Sequence, residues 1–167
     1  MVQPQYCTVC GQKLILKEIG DEGEIPFCLD CSKPYFNNPV CSVLVAVVNH
    51  KKEVLLLKQD YVSKSHWVLV AGYLKVNESL EDGVYREVLE ETGLKVKESK
   101  YISSYYYEKK ELLLIGFVAF TNEVKYNLNS KEVDDIKWET IDTAISLLRE
   151  GSMAQIHLIN IRNSLMI

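Results

Sequence analysis

Apolar and polar positions divide the chain into two stretches of different character. Residues 1 to about 37 are rich in cysteine and turn-forming residues and show little apolar periodicity. From Pro39 onward, short apolar runs typical of buried strands alternate with stretches that have helical spacing. The predicted strands are 41–49, 53–59, 67–74, 95–107, 111–122 and 133–139, and the predicted helices are 77–92, 141–150 and 153–165.

The order of these elements predicts an α/β fold, a sandwich with a mixed sheet and helices on both faces. The helix at 77–92 has clear end signals, because Ser79 is followed three residues later by Asp82, and Gly93 comes just past its end. A chain of 167 residues has room for one ordinary domain and a small appendage. We therefore predict a small module over 1–37 and an α/β domain over 38–167.

Composition narrows the class of protein only slightly. Hydrophobic residues make up 47% and charged residues 25%, as expected for a globular protein. The net charge of -4 argues against a broad surface for nucleic-acid phosphates. No secretory signal is visible, and the longest apolar run, residues 40–48, is too short to span a bilayer. We expect a cytoplasmic protein with no membrane contact, in which paired cysteines indicate metal more than disulfide.

The cysteines form two CxxC pairs separated by seventeen residues, which are Cys7 with Cys10 and Cys28 with Cys31. This spacing is typical of four-cysteine zinc sites, in which two tight knuckles complete a tetrahedron around one ion. Gly11 suits such a knuckle, because the backbone often needs positive φ there. A closed four-thiolate site would be structural Zn²⁺, a zinc ribbon. Reduced or redox-active cysteines, and a nucleic-acid-binding ribbon, are the alternatives. Cys41 lies in an apolar strand and is expected to be a core thiol.

The helix at 77–92 carries carboxylates on the side expected to face the core. At about 100° per residue, Leu80, Val84 and Val88 form an apolar stripe, and Glu87 and Glu91 project into the same sector. Clustered buried carboxylates would repel one another and lose hydration. A divalent cation removes this conflict, since hard oxygen ligands at helical spacing can converge on Mg²⁺. The alternative is a solvated acidic face, although its charge would oppose the helix dipole.

Residues 72–94, hereafter the box, resemble the signature of the Nudix hydrolases. That signature is Gly, five residues, Glu, seven residues, Arg-Glu, an apolar residue, any residue, Glu-Glu, any residue, Gly and an apolar residue. The chain fills every specified position with Gly72, Glu78, Arg86, Glu87, Val88, Glu90, Glu91, Gly93 and Leu94. The resemblance implies a Nudix α/β/α sandwich and a pyrophosphohydrolase that depends on Mg²⁺ or Mn²⁺.

The same resemblance implies roles for individual side chains. Glu87, Glu90 and Glu91 would ligate the catalytic cation. Arg86 would pair with Glu78 or a neighbouring glutamate and hold the helix against the preceding loop.

Positions around this helix acquire expected roles as well. Gly72 would let the backbone run close to metal and diphosphate, and the Ala71 carbonyl would complete the coordination. Glu132 would be a further metal ligand or the general base, in competition with a box glutamate. Ala154, in the segment that opens the last helix, would touch the substrate.

A four-cysteine ribbon followed directly by a Nudix domain is similar to the NADH pyrophosphatase branch of that family. This branch implies cleavage of NAD(H) into nicotinamide mononucleotide and AMP by a homodimer. The chain lacks the proline-rich signature of the branch and has Ser103-Ser104-Tyr105-Tyr106-Tyr107 there. The tyrosines either stack a base or divide between core and surface. NAD(H), ADP-ribose, FAD, CoA-like compounds and nicotinamide-capped RNA are therefore the candidate substrates.

A rival function of a different class is a non-catalytic nucleotide sensor or nucleic-acid-binding protein on a Nudix scaffold. Such sensors tend to lose box glutamates and to gain a DNA-binding helical domain. The intact glutamates of this chain favour an enzyme. Trp67 is expected either to line the pocket entrance or, more simply, to pack in the core.

Overall fold

The computed structural model describes residues 4–126 and 132–165. The chain divides into two compact units, Met1–Pro39 and Val40–Ile167. The assignment of separate functional domains to 1–37 and 38–167 remains a prediction. None of the described helices is both long and apolar enough to cross a membrane.

The first unit contains a small antiparallel sheet of three strands, in the order β1-β2-β3. These are β1 (Ile15–Glu18), β2 (Glu24–Cys28) and β3 (Lys33–Pro34). Among residues 4–39, the buried side chains are those of Cys7, Pro26, Phe27 and Cys28. This small buried apolar surface cannot offset the conformational entropy that the chain loses on folding. The first unit therefore needs a further source of stability.

The second unit is a six-stranded sheet flanked by helices. Its strands are β4 (Val40–Asn49), β5 (Glu53–Lys58), β6 (Val70–Tyr73), β7 (Glu98–Tyr107), β8 (Leu112–Thr121) and β9 (Asp135–Thr140). Its helices are α1 (Leu80–Thr92), α2 (Ile141–Leu147) and α3 (Met153–Leu165).

The long strand β4 is the centre of the sheet, which has the order β7-β8-β4-β5-β9. It pairs in parallel with β8 along its whole length, from Val40 opposite Leu112 to Asn49 opposite Thr121. Its other edge is shared between two antiparallel partners, β6 and β5. A parallel strand covered on both faces is expected to be an almost continuous apolar run, as β4 is. The prediction of a mixed sheet is therefore confirmed.

Side chains alternate across β4 and feed two separate cores. Val43, Val45 and Val47 pack with Val84 and Val88 of α1 in the first core. On the opposite face, Leu44, Ala46 and Val48 pack with side chains of α2 and α3 in the second core, namely Ile141, Ala144, Leu158 and Ile161. Helices thus cover both faces, which confirms the α/β/α sandwich.

The ends of several elements differ from the prediction. Helix α1 begins at Leu80 rather than residue 77, because Asn77 has φ +63° and Ser79 is the N-cap that accepts a hydrogen bond from the Asp82 amide. The strand predicted at 67–74 is confined to Val70–Tyr73. Trp67 forms only an isolated bridge, since its partner Leu148 follows α2 instead of lying in a strand.

The first core generates a test of the packing. Replacing the fully buried Leu57 by alanine leaves a cavity and should lower the free energy of unfolding by about 2–5 kcal/mol. The matched control is Val76→Ala, because Val76 is 90% exposed and its loss should change stability by less than about 0.5 kcal/mol. Urea unfolding followed by tryptophan fluorescence measures both. Equal effects of the two substitutions would contradict the assigned core.

Candidate functional site

A tight loop between β6 and α1 positions Glu78 for its ionic contacts. The Lys75 amide donates to Glu78 Oε2 at 2.9 Å, and the Glu78 amide donates to the Lys75 carbonyl at 3.3 Å. Asn77 takes a positive φ inside this turn, a conformation that asparagine tolerates better than most residues. The loop therefore presents the Glu78 carboxylate to the side of α1.

Arg86 uses all five of its N–H donors at this point. Its Nε and Nη2 bind the two oxygens of Glu78 at 2.6 and 2.8 Å. Its Nη1 binds Glu87 at 2.5 Å and Glu90 at 3.0 Å, and Nη2 also donates to the Tyr73 carbonyl at 3.1 Å. One guanidinium thus joins α1, the preceding loop and β6.

These contacts shift the pKa values of the partners in the expected directions. The hydrogen bonds from Arg86 lower the pKa of Glu78 to about 2, and the same pair raises the pKa of Arg86. Desolvation alone would raise the pKa of Glu90, but hydrogen bonds from Arg86 and Lys75 outweigh it and lower the pKa. Glu78 and Glu90 are therefore ionised at neutral pH.

Glu91 is the most buried acid of the site. Glu91 is 3% exposed, and Glu87 is 9% exposed. Its Oε1 accepts a hydrogen bond from Gln59 Nε2 at 2.8 Å, whereas its Oε2 is buried with no hydrogen-bond partner. Burial raises the pKa of Glu91 to about 7, with help from the charges of Glu87 and Glu132 and against the Gln59 hydrogen bond.

Gly72 leaves room for the carboxylate of Glu87. A Cβ built on Gly72 would overlap the carboxyl group of Glu87, so any larger residue would displace it. The Gly72 carbonyl accepts a hydrogen bond from Ser42 Oγ at 2.8 Å, which holds this part of β6 against β4. The glycine is thus required for a close approach of backbone and acid.

A cleft of about 940 Å³ brings most of the predicted site residues together. Its lining includes Ala71, Gly72, Arg86, Glu87, Glu90, Glu91, Glu132 and Ala154. Glu78 does not line it but binds Arg86 and Lys75, which do. The functional roles predicted for these residues remain proposals.

The cleft also contains residues for which the sequence analysis predicted no role. They include Gln59, Tyr61, Lys110, Arg149, Ser152 and Met153. Gln59 alone carried a signal, since an amide that directly follows a buried apolar strand needs a polar partner. The others come from loops and helix ends that are far apart in sequence.

Trp67 and the three consecutive tyrosines lie in different surroundings. Trp67 lines the cleft and also packs against the second core, with Lys137 Nζ 4.4 Å from its ring centroid. Both interpretations of Trp67 are therefore correct in part. Of the three tyrosines, Tyr105 packs against the second core, Tyr106 is 48% exposed, and Tyr107 lines the cleft.

The four paired cysteines of the first unit form one cluster, in which all Sγ atoms lie within 4.8 Å of one another. Cys7 and Cys31 are 3.8 Å apart, and Cys10 and Cys28 are 3.5 Å apart. Four sulfurs at about 2.3 Å from a central ion would be about 3.8 Å from each other, so the cluster fits tetrahedral Zn²⁺. Cys41 is not part of it and is packed against the first core.

The local backbone explains how the knuckles form. Gly11 has φ +76°, as predicted, and Ser32 takes φ +50° at the equivalent position after Cys31. The Tyr35 hydroxyl accepts from the Thr8 amide at 3.0 Å and lies 3.0 Å from Cys7 Sγ, so its proton can point at the sulfur. This contact lowers the pKa of Cys7 to about 5, which favours a thiolate at this position, whereas the hydrogen bond with Cys10 raises the pKa of Cys31.

The acids of the cleft are more widely spread than the cysteines, which among the described residues are the one group of three or more metal-ligating side chains with all ligand atoms within 4.8 Å of one another. Glu87, Glu90, Glu91 and Glu132 offer carboxylates at one cleft, and carboxylate oxygen is the ligand type of Mg²⁺ and Mn²⁺. The unpaired buried Oε2 of Glu91 is the observation that fits a cation best, because an unpaired acid would otherwise be destabilising there.

Comparison with known proteins finds similar sequences and a matching family model. Residues 39–159 match the family model described as the NUDIX domain. The chain is similar to a protein named NAD-capped RNA hydrolase NudC from Mannheimia succiniciproducens, with 31% identity over 83% of this chain and 53% of the relative. It is also similar to Nudix hydrolase 19, chloroplastic, from Arabidopsis thaliana, with 31% identity over 81% of this chain and 32% of the relative. The chain thus spans about half or less of the length of these relatives.

Solved structures share the fold. A NUDIX hydrolase from Nitrosomonas europaea has a TM-score of 0.71 and 22% identity, over 93% of this chain and 88% of that one. The NUDIX domain of Shewanella oneidensis NrtR, solved with ADP ribose, has a TM-score of 0.66 and 17% identity, over 78% of this chain and 90% of that one.

The cysteine cluster generates a metal-analysis test. Purified wild-type protein should contain about one zinc per chain, and Cys28→Ala should lose it, because removing a buried ligand opens the tetrahedron. Cys41→Ala is the matched control and should keep its zinc, since Cys41 is not in the cluster. Elemental analysis after gel filtration measures both. Wild-type protein that is well folded without zinc would contradict the ribbon.

Proposed function

Because this chain belongs to the Nudix family, we propose that it is a Mg²⁺- or Mn²⁺-dependent hydrolase of a pyrophosphate bond in a nucleoside-diphosphate-linked compound. The observation that carries the proposal is the buried, half-unpaired carboxylate of Glu91 beside Glu87 in a large cleft. Glu87 is ion-paired with Arg86, so the charge that a cation would compensate is mainly that of the buried Glu91.

The proposed chemistry divides the box residues into two groups. Glu87, Glu90 and Glu91 would hold the cation, and Arg86 with Glu78 would hold those acids in place. The chemistry supplied by the cation, when bound, is neutralisation of the diphosphate and a lower pKa for the attacking water. Arg86 already binds one oxygen of Glu87 and one of Glu90, and Lys75 Nζ lies 3.3 Å from the other oxygen of Glu90. A cation held by Glu90 would therefore compete with Lys75 for that oxygen.

A carboxylate must also accept the proton of the attacking water. The candidates are a box glutamate and Glu132, which lines the same cleft and whose charge acts on Glu91. Attack on one phosphorus would form a new P–O bond, break the bridging P–O bond and release two monophosphates. We propose that the Ala71 carbonyl faces the cation and that Ala154 contacts the substrate.

The proposed substrate is an NAD-like dinucleotide, either free or as the cap of an RNA. The names of relatives such as the Mannheimia succiniciproducens protein support this choice, and the ADP ribose bound to the similar NrtR domain supports an ADP-ribose-linked compound in general. ADP-ribose, FAD and CoA-like compounds remain candidates. The cleft has the size of a site for such molecules, since small-molecule sites occupy about 300–1,000 Å³.

The zinc ribbon, the homodimer and the division into two functional domains belong to the same proposal. Four thiolates at tetrahedral spacing support structural zinc. The homodimer rests on the resemblance to the NADH pyrophosphatase branch alone. A nucleotide sensor without catalysis is the second candidate, and the intact acids of the cleft favour the enzyme over it.

The decisive variant is Glu91→Gln, which keeps the shape of the side chain but removes its charge. Turnover should fall by roughly a hundredfold or more, since charge stabilisation by a metal contributes several kcal/mol. Glu81→Gln on the exposed first turn of α1 is the matched control and should leave kcat unchanged. Urea unfolding without divalent cation should show no loss of stability in Glu91→Gln. Full activity in this variant would rule out the metal role.

A substrate screen tests the reaction itself. NAD⁺, NADH, ADP-ribose, FAD, CoA and a nicotinamide-capped RNA are each incubated with Mg²⁺ or Mn²⁺, and released monophosphates are separated by chromatography. We expect cation-dependent release of AMP from an adenine dinucleotide. Binding of these compounds without any turnover would instead support the sensor.

A further inference from the structure

His157 is a fully buried titratable residue that the proposed reaction does not use. It lies on α3, and its Nε2 is 2.9 Å from the carbonyl oxygen of Phe117 on β8. Its Nδ1 is 3.1 Å from the hydroxyl of Tyr105 on β7. A carbonyl oxygen can only accept, so Nε2 must carry the proton. Burial lowers the pKa of His157, so the ring is neutral and Nδ1 is an acceptor.

This tautomer orders a chain of hydrogen bonds. Because Nδ1 accepts, the Tyr105 hydroxyl donates to it. The Tyr105 oxygen then accepts from Ser103 Oγ at 2.5 Å and from Asn160 Nδ2 at 3.0 Å. Each of these polar groups has a partner of the right kind, so the four side chains form a satisfied network between β7, β8 and α3.

The backbone of the sheet is shaped to admit the imidazole ring. A Cβ on Gly116 would stand 2.6 Å from His157 Cε1 and 3.0 Å from the Ser103 carbonyl oxygen, so only glycine fits. A glycine inside a strand marks such a close approach. The register of β7 and β8 shifts between Tyr101 and Ser103, next to the Gly116 pairing, so a bulge accompanies the contact.

The network lies one helical turn from the cleft. Met153 and Ala154, in the first turn of α3, precede His157 by four and three residues and line the cleft with Ser152. On the same strand as Tyr105, Tyr107 lines the cleft too. Fixing His157 against the sheet therefore fixes a wall of the cleft formed by α3 and β7. This wall packs on the second core, whereas α1 with its acids packs on the first.

We propose that Tyr105 and His157 are positioning residues for substrate binding, which hold the first turn of α3 as a wall of the cleft. This proposal rests on the proposed function of the same cleft. Because the wall and the acids lie on opposite faces of the sheet, loss of the network should weaken substrate binding and leave the metal-binding acids unaffected.

Tyr105→Phe tests the proposal, because it deletes only the hydroxyl at the centre of the network. KM for the best dinucleotide should rise by roughly fivefold to thirtyfold, the effect of an unmade buried hydrogen bond, while kcat changes less than about twofold. Hydrogen exchange at residues 151–157 should become faster. Affinity for Mn²⁺ alone, measured by electron paramagnetic resonance, should be unchanged.

The matched control is Tyr106→Phe, since Tyr106 is the exposed neighbour on the same strand. It should behave as wild type in all three measurements.

Two further variants, Ser103→Ala and Asn160→Ala, each remove one donor to Tyr105 and should give smaller rises in KM. They keep the proposal testable if Tyr105→Phe does not fold. Unchanged KM and exchange in Tyr105→Phe, or a fall in kcat alone, would overturn the positioning role. Wild-type protein without turnover would instead remove the proposed function, whereas the exchange measurement would still report on the wall.

Discussion

The guanidinium of Arg86 is the contact on which the architecture of the box depends. Acids that face a hydrophobic core are destabilising unless their charge is compensated. Arg86 compensates part of it, because its five donors bind Glu78, Glu87, Glu90 and the Tyr73 carbonyl. The same bonds hold α1 at a fixed angle to the loop before it. One side chain thus sets both the charge balance and the geometry of the proposed site.

The compensation by Arg86 stops short of Glu91. The Gln59 amide donates to one oxygen of that acid, and the second oxygen is buried without a partner. Proteins rarely leave a buried acid in this state outside functional sites, where the arrangement is stabilised by what binds there. The arrangement of Glu91 that the proposed function requires therefore destabilises the fold. A bound divalent cation would remove this destabilisation.

The two faces of the sheet support different parts of the cleft. Helix α1 with its acids packs on the first core, and α2 and α3 with the wall of the cleft pack on the second. Strand β4 makes this possible because alternate side chains of one strand enter each core. A substitution on one face can therefore alter substrate contacts without altering the acids.

The first unit has a different source of stability. Its few buried residues, Cys7 and Cys28 among them, favour stabilisation by zinc.

Local patterns in the sequence were sufficient for the features that depend on neighbours along the chain. The N-cap Ser79, the left-handed Gly93 and the buried strand β4 follow from local propensity and from a continuous apolar run. The cleft-lining Arg149 and the buried His157 could not be inferred in this way, because their surroundings come from strands and helices that meet only after folding. The sequence by itself determined which elements form and which acids share a helix face. Only the tertiary structure decided which distant side chains meet, because packing and hydrogen-bond satisfaction act between segments that carry no mutual signal.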